Sequence, residues 1–246
     1  MLSRKKYAEI KGKLDLNFGS DEKARDVLDS LVEDGDYRII GELVGDKIVF
    51  IFGCGPSLER DVERLCERGL LEDTVLIAAD GAVKALLEKK VVPNICVTDL
   101  DGNKKALMEA SKKGCIMVIH AHGDNIQKLN KILPKLQGKK LGTTQVKPTR
   151  KIRNFGGFTD GNRAVYLAVK FKPKKIVLFG MDFGNKIGKY SGKRKNKELR
   201  IRKLEVGRTL LEELAGKTRI SILNATSGGV EIKNVRRIRI EDLELE

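Results

Sequence analysis

The chain has 246 residues, of which 41% are apolar and 34% are charged, and its 49 basic and 34 acidic side chains give a formal net charge of +15. This length and apolar content suit one large α/β domain, while five prolines and no Ser/Gly tracts exclude a largely disordered or collagen-like chain. No apolar run approaches ~18 residues, and no apolar stretch follows the first charges, so we expect a cytoplasmic protein without a signal peptide or a membrane span.

The elements predicted in chain order divide the chain into two parts. Residues 1–45 are predicted to be a small N-terminal helical extension, with a helix over residues 21–34 that Ser20 caps, and residues 46–246 to be an α/β catalytic domain. From residue 47 on, short β-branched runs alternate with amphipathic stretches, which predicts a Rossmann-like, mostly parallel sheet with helices on both faces. The predicted strands are residues 47–52, 74–79, 95–98, 115–120, 141–146, 152–154, 175–179, 220–223 and 230–232. The predicted helices that accompany them are residues 58–68, 82–90, 104–113, 126–136, 161–169 and 199–214.

Polar, glycine-rich loops follow six of the predicted strands. Each loop alone is explained by Gly, Asp and Asn as ordinary turn and cap residues. In an open α/β sheet, however, the loops at the carboxyl ends of the strands surround the ligand crevice. Six such loops at one edge therefore favour a binding site there; they begin at Gly53, Asp80, Thr98, His120, Asn154 and Gly180.

The first loop, Gly53-Cys-Gly-Pro-Ser57, is a glycine turn that leads into a helix. Such a turn exposes backbone N–H groups to an anion, so Gly53, Gly55 and Ser57 are candidates for binding a nucleotide. The loop matches neither the Walker A motif nor a complete Gly-x-Gly-x-x-Gly, and its signal alone is weak.

The carboxylates after the next two strands point to a cation. Asp99 and Asp101 are two residues apart, and in an extended segment such side chains point the same way and can share one hard cation. Together with Asp80 they predict a Mg²⁺ site on a polyphosphate. The alternative interpretation, that these aspartates cap the next helix, accounts for one of the pair and not for both.

The chain's two histidines both lie in one loop, His120-Ala-His122-Gly-Asp124. The spacing is similar to the first ligands of binuclear metallo-hydrolases, but those sites need further histidines that this chain lacks. We predict that His120, His122 or Asp124 contacts a ligand. The alternative is that His120 caps the strand and that Asp124 or Asn125 caps the following helix.

A second glycine turn leads into a helix near residue 160. Its glycines, Gly156 and Gly157, allow a close approach of backbone to a phosphate. Thr159 can cap the helix, with Asp160 beside it, and Arg163 in the first turn can bind a phosphate through its forked guanidinium.

Two later features leave their interpretation open. Asp182 follows the strand at 175–179 and could face a polar substrate ring or stabilise a turn. The basic segment 185–203 could be a lid over a triphosphate or a solvated surface loop. A nucleic-acid surface is poorly supported, because only Tyr190 interrupts the charges.

The motifs taken together resemble the archaeal 6-hydroxymethyl-7,8-dihydropterin pyrophosphokinases, and the resemblance covers essentially the whole chain. They are Gly53-Cys-Gly-Pro-Ser57, Ala79-Asp-Gly-Ala82, Thr98-Asp-Leu-Asp101, His120-Ala-His-Gly-Asp-Asn125 and Gly156-Gly-Phe-Thr-Asp160. A more distant similarity, limited to Asp-Gly-Ala and Asp-x-Asp, extends to thiamin pyrophosphokinases. The family implies transfer of the β,γ-pyrophosphoryl group from ATP to a pterin hydroxymethyl group, with Mg²⁺ and release of AMP, in the synthesis of tetrahydromethanopterin or another folate-like carrier.

The resemblance also implies roles for the residues singled out above. Mg²⁺ would be held by Asp80, Asp99 and Asp101, and catalysis would involve the two latter aspartates with His122 and Asp124. The nucleotide would be bound by Asp80 and by residues of the two glycine turns and the helix start that follows the second: Gly53, Gly55, Ser57, Gly156, Gly157, Thr159, Asp160 and Arg163. The pterin would be bound by His120, Asn154 and Asp182.

Two other classes of function stay open at the level of the sequence. An S-adenosylmethionine-dependent methyltransferase would use Gly53 and Gly55 in a similar sheet, but gives no reason for Asp99 and Asp101. A basic nucleic-acid-binding module would explain the net charge without any site. The expected partners are ATP and a reduced pterin alcohol, with a homo-oligomer possible and neither a membrane nor a nucleic acid favoured.

Overall fold

The computed structural model describes residues 4–16, 19–33, 35–192 and 196–245. In these ranges, nine strands form one sheet in the order β6-β5-β4-β3-β2-β1-β7-β8-β9, and every neighbouring pair is parallel. The strands are β1 (Ile48–Phe52), β2 (Val75–Ala79), β3 (Ile95–Thr98), β4 (Ile116–Ala121), β5 (Lys140–Thr144), β6 (Ile152–Arg153), β7 (Lys175–Phe179), β8 (Ser221–Asn224) and β9 (Arg236–Arg237). The predicted α/β class with a mostly parallel sheet is confirmed.

Helices cover both faces of the sheet. They are α1 (Arg4–Lys13), α2 (Asp21–Leu31), α3 (Arg38–Val44), α4 (Leu58–Glu67), α5 (Ala82–Glu88), α6 (Lys104–Lys112), α7 (Ile126–Ile132), α8 (Asp160–Lys170) and α9 (Lys197–Ala215). All residues of β1 and β2 are buried, and successive residues belong to two different apolar clusters: Phe50 to one face and Ile51 to the other. Continuous apolar strands are typical of a parallel sheet that is buried on both sides. No helix in the described part of the chain is long and apolar enough to cross a membrane.

The strand order reverses between β1 and β7, and this position determines where a ligand can bind. β1 pairs with β2 on one side and with β7 on the other. In open α/β sheets the crevice lies outside the carboxyl ends of the strands at such a switch point. The loops after the two strands are in backbone contact, since Gly53 N donates to Phe179 O at 2.8 Å and Gly55 N to Gly180 O at 2.7 Å.

Several predicted elements have other boundaries in the structure. The helix predicted over residues 21–34 ends at Leu31, and Asp34 lies outside the described residues. The helix predicted over residues 126–136 ends at Ile132 and continues as a 3-10 turn, Leu133–Lys135, because Pro134 cannot donate a helical hydrogen bond.

Three elements differ more strongly from the prediction. The extension contains α1 and α3 besides α2, and neither was predicted. Residues 230–232 do not form a strand; instead Arg236–Arg237 pairs with β8 at the sheet edge. Both arginines of this edge strand are exposed, so no apolar alternation marks it in the sequence.

Candidate active site

A cavity of about 590 Å³ lies at the carboxyl edge of the sheet, where the glycine-rich loops converge. Its walls come from the loops after β1, β2, β3, β4 and β7, from the first turns of α8 and α9, and from the N-terminal segment. The volume is in the range of sites that bind small molecules. The expectation that these loops converge agrees with this arrangement.

Asp80 is held in place by its own backbone and by two donors. It follows β2 with φ +43°, in the left-handed region, and this turns its side chain away from the strand direction. One carboxylate oxygen accepts from the Thr98 hydroxyl and from Gly102 N at 3.0 Å. A Cβ at Gly102 would lie 2.8 Å from the same oxygen, so a side chain at this position would displace the carboxylate.

Three carboxylates meet in the cavity: Asp80, Asp99 and Asp160. One oxygen of each lies within 4.8 Å of the others. Asp160 is the first residue of α8, and burial, followed by the nearby charge of Asp99, raises its pKa to about 8. A group of close, buried carboxylates is the oxygen donor set that a hard divalent cation prefers, and a bound cation would offset their repulsion.

Asp101 lies differently from what the spacing predicts. The expected trio was Asp80, Asp99 and Asp101, but the carboxylate of Asp101 pairs with Lys128, and Asp160 stands in the third position. The reason is Leu100, whose φ of +66° turns the backbone between the two aspartates. The rule that residues i and i+2 point the same way holds only for an extended segment.

His122 connects the carboxylate cluster to Asp124. Its Nε2 lies 3.1 Å from Asp99 Oδ2, and its Nδ1 is in contact with an oxygen of Asp124. Burial by itself would lower the pKa of His122, but the hydrogen bonds to Asp124 and Asp99 outweigh it and raise the pKa to about 9. The imidazole is therefore a cation near neutral pH, which suits it to balance the charge of the two carboxylates and not to act as a base.

His120 lies beneath the cavity wall and does not line the cavity. Its Nδ1 is 2.9 Å from the Thr143 hydroxyl, and its Nε2 contacts Gln145 Oε1. Burial holds the pKa of His120 well below its usual range, so the ring is neutral. The structure thus places the two histidines in different environments.

Asn125 orders this part of the site, although the sequence indicated it only as a candidate helix cap. Its side chain is fully buried, and its Nδ2 donates to Asp99 O at 3.0 Å and to His120 O at 2.8 Å. Its Oδ1 accepts from His122 N at 3.1 Å. The helix-cap pattern after the strand was the available signal, but an asparagine that bridges two strand ends is visible only in three dimensions.

Arg163 links the cluster to the floor of the cavity. It donates to Asp160 Oδ1 at 3.1 Å and to Gln145 Oε1 at 3.4 Å, and it is 9% exposed. The predicted cap residue Thr159 lines the cavity beside Asp160, and Asn162 Oδ1 accepts from Thr159 N at 2.8 Å. Asn162 thereby ties the loop to the start of α8.

Three other predicted residues, Asn154, Gly156 and Gly157, stabilise the conformation of this loop. Asn154 accepts from Gly156 N at 3.0 Å and donates to Val146 O at 3.4 Å. Gly157 has φ +82°, and a Cβ there would lie 2.7 Å from the Cα of Arg163. Asn154, Gly156 and Gly157 are not among the residues that line the cavity.

Ser57 and Asp182 belong to a buried polar group at the switch point. The Ser57 hydroxyl lies 2.9 Å from an oxygen of Asp61 and 2.9 Å from an oxygen of Asp182. Asp61 also accepts from Gly180 N at 2.9 Å, so it joins the two loops. Burial raises the pKa of Asp182. Asp182 lines the cavity, whereas Ser57 is not among the residues that line it.

Basic side chains from two segments of the chain line the cavity. Lys186, Arg200 and Lys203 come from the segment predicted as a lid, and Lys128 comes from α7. Residues 193–195 of the segment 185–203 lie outside the described residues. The described part contributes cationic groups at one side of a cavity whose middle holds three carboxylates.

Comparison with known proteins gives consistent matches. Residues 28–188 match the family described as 6-hydroxymethylpterin diphosphokinase MptE-like. A 6-hydroxymethyl-7,8-dihydropterin pyrophosphokinase of Methanocaldococcus jannaschii is 44% identical over 194 residues, 74% of this chain and 80% of the relative. The enzyme of the same name from Pyrococcus furiosus is 39% identical over 227 residues, 88% of this chain and 94% of the relative.

Among solved structures, the Maf glycosyltransferase of Magnetospirillum magneticum AMB-1 has a similar fold. It superposes with a TM-score of 0.62 at 17% identity, over 94% of this chain and 40% of the glycosyltransferase. At this identity the similarity shows the fold alone.

Proposed function

Because the chain belongs to the MptE-like family of 6-hydroxymethylpterin diphosphokinases, we propose that its cavity is the site where a diphosphoryl group passes from ATP to the hydroxymethyl group of 6-hydroxymethyl-7,8-dihydropterin. The chain is an enzyme of this class, a pyrophosphokinase. The products are the pterin diphosphate and AMP, and the pterin diphosphate would serve the synthesis of a folate-like carrier such as tetrahydromethanopterin.

We assign the reaction to this cavity because three carboxylates and several cationic side chains lie together in it. Asp80, Asp99 and Asp160 are within 4.8 Å of one another in a cavity that Lys186 and Arg200 also line. Pyrophosphoryl transfer depends on positioning and on charge neutralisation more than on covalent chemistry by the protein. This combination of groups can supply both.

The carboxylate cluster fits Mg²⁺. Carboxylate oxygens are the protein ligands that this cation accepts, and Asp80, Asp99 and Asp160 would hold it, with Asp101 nearby on Lys128. When bound, Mg²⁺ would neutralise charge on the polyphosphate and orient it. The raised pKa of Asp160, about 8, follows from burial beside Asp99, and a cation at this position would favour its ionised form.

The remaining steps concern the chain's own residues. In the reaction a bond forms between the hydroxymethyl oxygen and the β-phosphorus, and the bond from that phosphorus to the oxygen of AMP breaks. Arg163 can donate to a phosphate oxygen beside Asp160, and His122, as a cation, offsets the charge of the two carboxylates to which its ring nitrogens are directed. Asp124, which lines the cavity next to His122, is the group that we assign to accept the hydroxyl proton.

The test is to incubate the protein with ATP, Mg²⁺ and reduced 6-hydroxymethylpterin and to identify the adenine nucleotide released. We expect pterin-dependent AMP without an equal amount of free pyrophosphate. Formation of ADP would mean transfer of a single phosphoryl group and would contradict the proposal. Absence of any pterin-dependent nucleotide change would contradict it as well, and S-adenosylmethionine binding without ATP binding would favour the methyltransferase.

A further inference from the structure

The N-terminal segment forms part of the cavity wall. Tyr7 of α1 and Leu16 in the turn after it both line the cavity. The region that matches the family begins at residue 28, so these side chains come from outside it. Part of the cavity wall therefore comes from residues outside the region that matches the family.

Asp21 holds this segment against the loop that carries His122. The Asp21 side chain is 4% exposed and accepts from Tyr7 Oη at 3.1 Å, from Lys11 Nζ at 3.4 Å and from Gly123 N at 2.8 Å. Such a buried carboxylate needs its donors, because each lost hydrogen bond would leave part of its charge uncompensated. The N-terminal segment is thereby connected to the loop between His122 and Asp124.

The wall that the segment builds is apolar and aromatic. Leu16 and Phe158 belong to a separate apolar cluster whose other buried members are Ile10, Leu14 and Leu210. The rings of Tyr7 and Phe158 have their centroids 6.4 Å apart with an interplanar angle of 52°. Tyr7, Leu16 and Phe158 all line the same cavity, so part of its wall presents rings and aliphatic groups.

Gln145 lines the same cavity, and its side-chain amide has an unused donor. Gln145 is 5% exposed, and its Oε1 is in contact with His120 Nε2 and lies 3.4 Å from a nitrogen of Arg163. Its Nε2 has no hydrogen-bond partner among the described residues. Buried amide nitrogens are rarely without an acceptor, which indicates that a ligand supplies one.

Apart from Arg163, which contacts Gln145, basic side chains also reach the cavity from the segment after β7. Gln145 follows β5, whereas Lys186 follows β7, and β1 to β4 separate the two strands in the sheet. A triphosphate is bound by cations, whereas an uncharged flat ring is bound by an apolar wall. We therefore expect ATP and the ring of the alcohol substrate to occupy different parts of the cavity. Asp160 lies between them, in contact with Arg163.

We propose that Tyr7, Leu16, Phe158 and Gln145 form the subsite for the flat heterocyclic ring of the alcohol substrate, and that the N-terminal segment determines which ring is accepted. This inference rests on the proposed function. In a 6-hydroxymethylpterin the ring carbonyl oxygen, the adjacent N5 and the hydroxymethyl carbon lie along one edge. An acceptor on that edge directed at Gln145 brings the hydroxymethyl group toward Arg163 and Asp160, where the transfer takes place.

The test compares variants of the full chain by their KM for each substrate. We expect Tyr7→Ala to raise the KM for the pterin by roughly fivefold or more, since aromatic contacts in a binding site are costly to truncate, and to leave the KM for ATP little changed. Leu16→Trp should fill the ring subsite and raise the pterin KM further. Pterin fluorescence, titrated without ATP, gives the same comparison independently of turnover.

Tyr166→Ala is the matched control. Tyr166 packs against the same apolar cluster and donates to Leu210 O at 3.2 Å, but it does not line the cavity. Its truncation should lower the melting temperature as Tyr7→Ala does while leaving the pterin KM unchanged.

The outcomes separate this inference from the function itself. Pterin-dependent AMP from the wild-type chain tests the reaction, whereas the variants test the ring subsite. An unchanged pterin KM in both Tyr7→Ala and Leu16→Trp, or a rise in the KM for ATP alone, would overturn the inference. If Tyr7→Ala fails to fold, Leu16→Trp and the fluorescence titration decide it in the same way.

Discussion

A carboxyl group that is buried beside two others is costly to ionise, and Asp160 is in this position. Its pKa of about 8 follows from burial and from the charge of Asp99, whereas Asp101 is neutralised by Lys128. Asp160, which belongs to the cluster, and Asp101, which does not, should therefore respond differently to substitution, although both line the same cavity.

We expect Asp160→Asn to raise the Mg²⁺ concentration needed for half-maximal turnover by about 10-fold or more, because it removes one oxygen donor of the cluster. Asp101→Asn should lower activity through the KM for ATP, since it releases Lys128, and should shift the Mg²⁺ requirement much less. Steady-state rates over a range of Mg²⁺ concentrations at saturating ATP distinguish the two. A larger Mg²⁺ shift in Asp101→Asn than in Asp160→Asn would contradict the assignment.

The buried side chain of His120 should make the free energy of unfolding depend on pH. Burial lowers the pKa of His120 well below 6.5, so the folded state resists protonation while the unfolded state does not. The unfolded state therefore binds more protons below pH 6.5, and the folded state loses up to about 1.4 kcal/mol per pH unit as the pH falls.

His120→Gln should remove this contribution. The difference in unfolding free energy between wild type and variant, measured by urea denaturation, should shrink as the pH falls from 7 to 5. His122 has its pKa raised to about 9, so its own contribution is fully present below pH 6.5 and declines above that pH. Because wild type and variant both contain His122, this contribution cancels in the difference. A difference that is constant with pH would refute the role of His120.

At the scale of elements, the site depends on how closely the loops after β1 and β7 approach each other. Gly55 N donates to Gly180 O at 2.7 Å, and a Cβ at Gly55 would lie 1.9 Å from Asp182 Oδ2. Glycine is required here because of the contact between the loops, and no unusual backbone angle is involved.

We expect Gly55→Ala to destabilise the fold by about 1–3 kcal/mol and to raise the KM for ATP, because the two loops must separate. Gly12→Ala is the control: Gly12 lies in α1, and a Cβ there meets nothing within 4 Å. That substitution should stabilise the chain by about 0.5–1 kcal/mol. Equal stability of the two variants in urea denaturation would show that the loops accommodate a side chain.

At the scale of the whole molecule, the net charge of +15 creates a field that attracts anions. The cavity concentrates part of it, with Lys186, Arg200 and Lys203 on one side. The same charge would attract nucleic acid, but nucleic-acid binding does not account for a cavity with three clustered carboxylates.

We expect the KM for ATP to rise several-fold between low and high salt, since counterions screen this field over about 10 Å at 0.1 M. The KM for the uncharged pterin should change little over the same range, which provides an internal control. A KM for the pterin that follows the salt dependence of ATP would contradict the separation of the two subsites.

Features that depend on interactions between residues close in the sequence could be predicted from the sequence alone. Strands such as Ile95–Thr98 and Lys175–Phe179 lie where periodicity predicts them, because a buried parallel strand needs a continuous apolar run. The glycine-rich loops at the carboxyl edge also follow from that order, since parallel strands all end at the same side. Local chemistry thus determined the fold class and the edge of the sheet at which the cavity lies.

Only the tertiary structure decided which residues meet there. Asp160 joins Asp80 and Asp99 because α8 brings it back to the sheet edge, while the left-handed turn at Leu100 directs Asp101 to Lys128. Tyr7 and Leu16 enter the cavity wall through Asp21, a contact across more than a hundred residues to Gly123. Side chains far apart in the sequence share no periodicity, so their meeting is a property of how the elements pack.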